Sequence, residues 1–325
     1  MKFKPSLEFQ ILCEENYKEE MEKVTEALMA CRTSGYFEGY GNVKLFYEYF
    51  LCENATASVV IVHGLSEFSK KFYETAYYFL NQGYNVFIYD QRCHGYSERF
   101  CEDTTYLHVD SFKEYVKDLK IFIDSIVLAA SDTPIYMYAH SMGGATAALY
   151  LALNKGKVQK AVLSSALFDP VKGPVLPVIA RLWVKAHKIL RGNKAKSDFS
   201  KEFNPNTTFN QSSDISEARF NHNMALRRED VHYQSGPFTW GWTYASLLLR
   251  NWIMKKRIVG GIETPTLLIS SEKDAVVRND AHVEFNEKCS VCRHIIIKDA
   301  THALLSSDNE TLKKYLDLIL DFYRE

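Results

Sequence analysis

The chain has 325 residues, a formal net charge of −1 and 46% hydrophobic residues, with aromatic residues making up 14% of the total. A near-neutral charge is not the basic footprint that nucleic-acid-binding proteins usually carry. No apolar run approaches the roughly 18 residues that indicate a spanning helix. The first residues turn acidic at Glu14 and Glu15 without an apolar run, unlike a secretory signal. We therefore expect a cytoplasmic protein without nucleic-acid partners, and its oligomeric state stays open.

The beginning of the chain predicts a helical arm and then a strand. Residues 1–38 are polar, with apolar residues at helical spacing between Tyr17 and Leu28. We expect this arm to pack on the edge of the domain. Residues 43–50 alternate apolar and polar positions, which predicts an antiparallel first strand.

Strands and helices then alternate along the chain. The predicted strands are 58–63, 85–90, 134–139 and 159–164, and the predicted helices are 69–82, 110–129 and 142–154. This alternation predicts an α/β fold with a mostly parallel sheet and helices on both faces. The pattern breaks after residue 166 and resumes at Pro265. We predict a core of residues 39–166 and 253–325, with residues 167–252 forming a helical cap.

A nucleophile elbow is the most specific motif in the chain. The strand-like segment 134–138 leads into Ala139-His140-Ser141-Met142-Gly143-Gly144 and then into an Ala-rich helix. A serine at such a sharp strand-to-helix turn is exposed at the edge of the sheet, and the residues around it must be small. The usual pattern is Gly-x-Ser-x-Gly, and here Ala139 takes the first position. Alanine is small enough to be accommodated there.

Three further segments follow predicted strands, and their order along the chain indicates the fold. Strand 58–62 leads to His63-Gly64-Leu65-Ser66-Glu67, strand 266–270 leads to Asp274, and strand 295–297 leads to His302. The order of serine, acid and histidine is that of α/β-hydrolases and differs from other serine hydrolases. Each candidate lies beyond the carboxyl end of a strand, where open α/β sheets bind their ligands.

These motifs carry a resemblance to a known family. The segments His63–Glu67, Asp90–Ser97 and His140–Gly144 are similar to those of the monoacylglycerol lipase and lysophospholipase group of α/β-hydrolases. The segment Gly236–Trp242 resembles the cap of the bacterial lysophospholipase. The similarity runs from about residue 39 to the C-terminus and is weakest between about 173 and 230. The group has glycine where this chain has Cys93, which affects the local turn.

The motifs assign a role to each candidate residue. Ser141 is predicted to attack an acyl carbonyl, His302 to accept its proton, and Asp274 to orient the imidazole. Asp280 and Asp299 are the alternative acids. The α/β-hydrolase fold implies an oxyanion hole made by the backbone N–H groups of Leu65 and Met142. Five residues in the loops after the strands 58–63 and 85–90 are interpreted as a structural scaffold: His63, Glu67, Asp90, Arg92 and His94. Glu67 is expected to pair with a nearby base.

The composition of the predicted cap indicates the class of substrate. Its first helix places apolar residues on one face, namely Leu176, Ile179, Leu182, Trp183, Ala186 and Leu190. Between Lys155 and Lys201 there are eleven lysines and arginines against two aspartates, a net of +9. A basic amphipathic helix of this kind either contacts an anionic membrane surface or is an ordinary cap helix with a solvated face. Five aromatic residues are predicted to line an apolar tunnel for an acyl chain: Phe238, Trp240, Trp242, Tyr244 and Trp252. The predicted substrate-binding residues are Trp183, Phe238, Trp240 and Trp242.

Seven cysteines in a chain without a recognisable signal indicate reduced thiols. Cys289 and Cys292 form a Cys-x-x-Cys pair, but only His294 lies close by, so the pattern does not predict a zinc site. No metal or organic cofactor is implied. The sequence predicts a serine carboxylester hydrolase that acts on a lysophospholipid or a monoacylglycerol. The alternatives are a proline-type aminopeptidase of the same fold, with Glu217, Glu229 or Asp230 holding the substrate ammonium, and an inactive hydrolase fold used for binding.

Overall fold

The computed structural model describes residues 1–6, 10–170, 177–212 and 214–325. Within these ranges the strands are β1 Arg32–Glu38, β2 Lys44–Phe50, β3 Ala57–Val62, β4 Tyr84–Tyr89, β5 Ile135–His140, β6 Val158–Ser164, β7 Thr266–Ser271 and β8 Cys292–Ile297. The α-helices are α1 Tyr17–Cys31, α2 Tyr73–Asn81, α3 Phe112–Phe122, α4 Leu128–Ala130, α5 Met142–Leu153, α6 Pro177–Arg191, α7 Glu217–Glu229, α8 Trp240–Ile253, α9 Lys256–Val259, α10 Asn279–Lys288 and α11 Asn309–Arg324.

The strands form one mostly parallel sheet in the order β1-β2-β4-β3-β5-β6-β7-β8. The β1–β2 and β2–β4 pairs are antiparallel, and all other pairs are parallel. Because β3, β5, β7 and β8 run in the same direction, the loops that follow them meet at one edge of the sheet. This edge is where the sequence motifs gather.

Apolar runs in the central strands explain why the sheet is covered on both faces. Every residue of β3 is buried, and its side chains alternate between two hydrophobic clusters. Val60 and Val62 join the cluster that contains α3 and α5, whereas Val59 and Ile61 join the cluster that contains α1, α2 and α11. A strand buried on both faces reads as a continuous apolar run rather than an alternating one.

The predicted strands and helices of the core are observed within a few residues of their expected bounds, with one correction at the N-terminal arm. Residues 32–38 were expected to be helical, but they form β1, which pairs with β2 from Arg32 opposite Phe50 to Glu38 opposite Lys44. This segment has little apolar periodicity, and only Phe37 is buried. Pairing with β2, and not local sequence preference, determines its conformation.

The insertion between β6 and β7 contains helices α6, α7, α8 and α9, and the start of α7 contacts the core. Arg219 of α7 is buried and bonds to Glu74 of α2, with Nη2 2.8 Å from Oε1. The N–H groups of Ile215 and Ser216 both donate to the carbonyl of Ser306, a few residues after His302. These contacts hold the start of α7 beside the loop that carries the histidine. None of the described helices is both long and apolar enough to cross a bilayer.

Candidate active site

Ser141 lies in a strained turn between β5 and α5. Its backbone has φ 51° and ψ −116°, and residues other than glycine rarely adopt such a positive φ. The turn is held from both sides, because the Ser141 N–H donates to the Ser164 carbonyl at 2.9 Å and the Ser141 carbonyl accepts from Leu167 at 2.8 Å. A Cβ on Gly143 would lie 2.1 Å from the Val62 carbonyl oxygen. Only glycine therefore fits at this position of the elbow.

The structure brings Ser141, His302 and Asp274 together in one chain of hydrogen bonds. His302 Nε2 lies 3.0 Å from Ser141 Oγ, and His302 Nδ1 lies 2.8 Å from Asp274 Oδ2. The Asp274 side chain is completely shielded from solvent, at 0% exposure. Its other oxygen, Oδ1, accepts from the N–H groups of Val276 and Val277 at 2.7 and 2.9 Å. The carboxylate is thus fixed by the turn after β7 and directed at the imidazole.

The environment biases the protonation of both partners. Burial lowers the pKa of His302 below its ordinary value, although the hydrogen bond and charge of Asp274 act in the opposite direction. For Asp274, burial raises the pKa, but the hydrogen bond from His302, its charge and the two backbone N–H donors outweigh burial and hold the pKa below its ordinary value. At neutral pH the pair is therefore a carboxylate beside a neutral imidazole, which is the state that accepts a proton from serine.

The two alternative acids lie elsewhere. Asp299 is 79% exposed, and its carboxylate pairs with Lys273 at 2.5 Å. Asp280 is 62% exposed and pairs with Arg278 at the start of α10. Neither has a contact with His302 in the described part of the chain. Asp274 is thus the aspartate that the fold directs at the histidine.

The backbone N–H groups of Leu65 and Met142 are the two that are predicted to bind the oxyanion. Met142 is the first residue of α5, so its N–H has no partner within the helix. Leu65 follows Gly64, whose own N–H donates to Glu67 Oε2 at 2.5 Å and closes the loop after β3. Within the described ranges, neither the Leu65 nor the Met142 N–H has a protein acceptor among the hydrogen bonds of the fold. Both remain candidates for binding an oxyanion.

A family comparison agrees with this geometry. The family model Hydrolase_4, described as serine aminopeptidase, S33, matches residues 53–310, which is most of the chain and includes Ser141, Asp274 and His302. The chain belongs to this α/β-hydrolase family.

Relatives of this hydrolase cover nearly its whole length. Lysophospholipase L2 of Escherichia coli strain K12 is 29% identical over 304 residues, covering 90% of this chain and 87% of that protein. A probable lysophospholipase L2 of Haemophilus influenzae is 26% identical, with coverage of 88% and 90%. A soluble variant of monoglyceride lipase from Saccharomyces cerevisiae, solved with a substrate analog, superposes with a TM-score of 0.69 at 16% identity, covering 89% and 93% of the two chains. The matches confirm the predicted fold, the predicted family group and the serine hydrolase class.

The loops beneath the site of the hydrolase make the scaffold contacts expected from the sequence. His63 Nε2 accepts from the Gln91 N–H at 2.9 Å, and Asp90 accepts from the Ser69 and Tyr96 N–H groups at 2.7 and 2.9 Å. Arg92 is buried and bonds to Asp118 with Nε 2.6 Å from Oδ2. These contacts connect the loops after β3 and β4 with each other and with α3.

Sequence reasoning missed His140, which precedes Ser141 at the end of β5. Its Nδ1 lies 3.0 Å from Glu67 Oε2, and its Nε2 lies 3.3 Å from the carbonyl oxygen of His302. The predicted base that pairs with Glu67 is found as well, because Lys71 Nζ lies 2.7 Å from Oε1. The available signal is the position of His140 within the elbow, directly before the nucleophile.

The four aromatic residues predicted to bind the substrate lie in two separate clusters. Trp242 is 4% exposed and packs in the main core, with its ring centroid 4.8 Å from Phe238 and 6.1 Å from Phe112. Trp240 is completely buried and packs on Trp183 of α6 at 5.5 Å. Trp240 and Trp242 therefore act as packing residues beneath the insertion surface. Trp183, which is 43% exposed, and the partly buried Phe238 are the two that retain accessible ring surface.

Helix α6 turns most of its expected apolar face to solvent. Ile179 is 56% exposed, Leu182 is 64% exposed and Leu190 is 82% exposed, while Val184 is the residue that is buried. The sequence placed these side chains on one face but did not say what that face contacts. Leu176, expected on the same face, lies outside the described residues. A cavity of about 750 Å³ lies between α1 and α7, and none of the four predicted aromatic residues lines it.

Proposed function

We propose that the protein hydrolyses carboxylic esters through an acyl-enzyme formed on Ser141. The observation that carries the proposal is the hydrogen-bonded chain from Ser141 Oγ to His302 at 3.0 Å and from His302 to Asp274 at 2.8 Å. Ser141 Oγ attacks the acyl carbonyl while His302 Nε2 takes its proton, and Asp274 stabilises the imidazolium. The oxyanion is stabilised by the N–H groups of Leu65 and Met142.

The second half of the reaction uses the same groups. His302 returns its proton to the leaving alcohol as the C–O bond of the substrate breaks, which leaves the acyl group on Ser141. A water molecule then enters, His302 takes one of its protons, and the hydroxide attacks the acyl carbonyl. Collapse of this intermediate releases the fatty acid, and the proton on His302 goes back to Ser141. No further redox or proton partner is needed to balance the reaction.

The substrate we propose is an ester of a single-chain lipid, either a lysophospholipid or a monoacylglycerol. Support comes from the relatives that span the chain, which are named lysophospholipases. It also comes from the exposed apolar side chains of α6, next to Trp183 and the buried Trp240. Such a surface suits an acyl chain, because each buried methylene contributes about 0.8 kcal/mol. Trp183 and Phe238 are the proposed contacts for that chain, with Trp240 and Trp242 supporting them from below.

An aminopeptidase activity is the second candidate, because the matching family model is described by that activity. Such an enzyme needs a carboxylate to hold the ammonium of its substrate. Of the three acids predicted for this role, Asp230 already accepts from Tyr96 and from His232, and Glu229 lines the cavity between α1 and α7. Glu217 lies in the first turn of α7. Within the described ranges, none of the three contacts Ser141, Asp274 or His302, which favours the ester substrate.

The test compares esters with amides on one protein. We expect catalytic efficiency on p-nitrophenyl esters, measured below the micelle limit, to rise from acetate towards longer acyl chains, with turnover of lysophosphatidylcholine or monoacylglycerol and slow cleavage of a proline anilide. Ser141→Ala is expected to lower ester turnover by about 10³-fold or more, and a fluorophosphonate probe should label the unmodified protein only. Rapid anilide cleavage with a preference for acetate would identify an aminopeptidase. Absence of both activities and of labelling would identify an inactive binding protein.

We also propose that α6 contacts the surface of an anionic membrane, on the cytoplasmic side expected from the sequence. Leu182 and Leu190 supply exposed apolar surface, and Lys185 and Lys188 lie on the same helix. A helix with this composition lies in the plane of the interface, with its apolar side chains among the lipid headgroups. The attraction should weaken as salt rises, since screening acts over about 8–10 Å at moderate ionic strength.

Vesicle sedimentation tests this contact. We expect binding to phosphatidylglycerol-containing vesicles that falls with added salt and is lost in the double variant Leu182→Ser, Leu190→Ser. Leu153→Ser is the matched control, because Leu153 is 50% exposed at the end of α5, outside the insertion. Equal binding by the double variant and by the control would contradict a docking role for α6.

A further inference from the structure

His140 joins three parts of the candidate active site through one imidazole. The residue ends β5 and directly precedes Ser141. Its Nδ1 lies 3.0 Å from Oε2 of Glu67, which is on the loop after β3 (the oxyanion loop). Its Nε2 lies 3.3 Å from the backbone carbonyl oxygen of His302. The two imidazole rings lie 5.0 Å apart. Both His140 and Glu67 are buried, at 7% exposure each.

The partners of His140 determine which of its atoms carry protons. A carboxylate and a backbone carbonyl can only accept hydrogen bonds, so each ring nitrogen must donate for both bonds to form. A neutral imidazole has one N–H, and only the imidazolium has two. The geometry therefore places one acceptor opposite each ring nitrogen of His140, between Glu67 and His302.

Glu67 offsets this charge and has two further bonds. Its Oε2 also accepts from the Gly64 N–H at 2.5 Å, and its Oε1 accepts from Lys71 Nζ at 2.7 Å. Burial raises the pKa of this carboxyl, but the charges of His140 and Lys71 outweigh burial and hold the pKa well below its ordinary value. Charge-assisted bonds of this kind are stronger and more directional than neutral ones. The carboxylate thus connects the oxyanion loop with the residue that precedes the nucleophile.

We propose that Glu67 and His140 form a positioning pair, which fixes the His302 loop and the Gly64–Leu65 loop relative to Ser141 during acyl transfer. The inference rests on the proposed hydrolase function and deepens it. Neither side chain takes part in the proton transfers between Ser141 and His302. Their effect should appear in kcat and not in KM, because a small displacement of reacting groups costs up to about 10²-fold in rate.

The pair also acts on His302 through its charge, and the two members act with opposite sign. The titratable groups that face His302 are Asp274 after β7, Glu67 after β3, His140 on β5 and His282 on α10. The negative Glu67 favours the imidazolium form of His302, and the positive His140 disfavours it. Removing Glu67 should therefore lower the pKa of His302, and removing His140 should raise it.

The experiment uses the full chain and a soluble ester. We expect Glu67→Gln and His140→Asn each to lower kcat by about 10- to 100-fold, with KM within about twofold of the starting value. The acid limb of the kcat/KM profile should move to lower pH in Glu67→Gln and to higher pH in His140→Asn. Glu74→Gln is the matched control, because Glu74 is a buried carboxylate paired with Arg219 in α2 and α7, away from Ser141. It should lose stability without moving the acid limb.

Several outcomes would overturn the positioning pair. Unchanged kcat in Glu67→Gln would do so, as would an activity loss matched by Glu74→Gln at equal folded fraction with the acid limb unmoved. If neither variant folds, ring N–H resonances decide the matter in the unmodified protein: two resonances from His140 at the pH of full activity support the pair, and one refutes it. Failure of the proposed function is recognised separately, by full activity in Ser141→Ala.

Discussion

Replacing Asp274 by asparagine is expected to lower kcat by about 10⁴-fold, whereas Asp299→Asn should leave it within about twofold. Both residues lie on loops near His302, so the pair of variants compares two aspartates from the same edge of the sheet. Asp274 is shielded from solvent and lies 2.8 Å from His302 Nδ1. Asp299 is 79% exposed and pairs with Lys273. An exposed ion pair of this kind contributes little to the free energy of unfolding.

The size of the effect follows from the hydrogen bonds of each carboxylate oxygen. Asp274 Oδ1 accepts from the Val276 and Val277 N–H groups, and Oδ2 accepts from His302. In Asp274→Asn the amide oxygen keeps the two backbone donors, so its NH₂ group faces His302 Nδ1. That nitrogen must then accept, which places the imidazole proton on Nε2 and prevents it from taking the serine proton. A 10⁴-fold loss corresponds to about 5.5 kcal/mol of transition-state stabilisation.

The assay is steady-state hydrolysis of a soluble p-nitrophenyl ester, with circular dichroism and urea unfolding to verify that both variants are folded. We expect similar unfolding midpoints for Asp274→Asn and Asp299→Asn, since asparagine matches aspartate in shape and the Oδ1 contacts persist. Active-site titration with a fluorophosphonate should label the Asp299 variant at the normal rate and the Asp274 variant slowly. A larger loss in Asp299→Asn than in Asp274→Asn would refute the assignment of the acid.

Two stability predictions follow from buried contacts. Gly143→Ala places a Cβ 2.1 Å from the Val62 carbonyl oxygen, so we expect the free energy of unfolding in urea to fall by about 3 kcal/mol, and an unchanged midpoint would contradict the close approach. Burial lowers the pKa of His282 from 6.5 to about 4, so the folded protein holds this imidazole neutral while the unfolded chain takes up a proton. The free energy of unfolding should therefore fall by about 3 kcal/mol between pH 7 and pH 4 through this residue, a decrease that His282→Gln should abolish.

The central sheet was predictable from the sequence because its signals are local. Strands buried on both faces appear as apolar runs, as in β3 and β7, and Leu65 and Asp274 follow these two runs after short loops. Chain order then supplied the family-level hypothesis, and the fold brings Ser141, Asp274 and His302 together in that order. A role that depends only on the end of a helix can be predicted without knowing which residues pack nearby. The N–H of Met142 at the start of α5 is an example, since it lacks a partner within the helix.

The contacts that the sequence did not predict depend on partners far along the chain. Strand β1 has a polar sequence and is a strand because β2 lies beside it. His140 meets Glu67, 73 residues earlier, and the carbonyl of His302, 162 residues later. A motif shows that a histidine precedes the nucleophile, but the donors and acceptors around it become known only when three loops are placed together. Side-chain function of this kind is a property of the assembled edge of the sheet.

Helix α6 illustrates the same limit for a surface. Helical periodicity identifies which side chains share a face, but it does not say whether that face meets protein, lipid or water. The structure buries Val184 and packs Trp183 against Trp240, while Leu182 and Leu190 stay exposed beside basic residues. An apolar surface of this kind is costly to leave in water unless a partner covers it for part of the catalytic cycle. The lipid surface proposed above would also deliver a single-chain ester, so membrane contact and substrate capture would use the same helix.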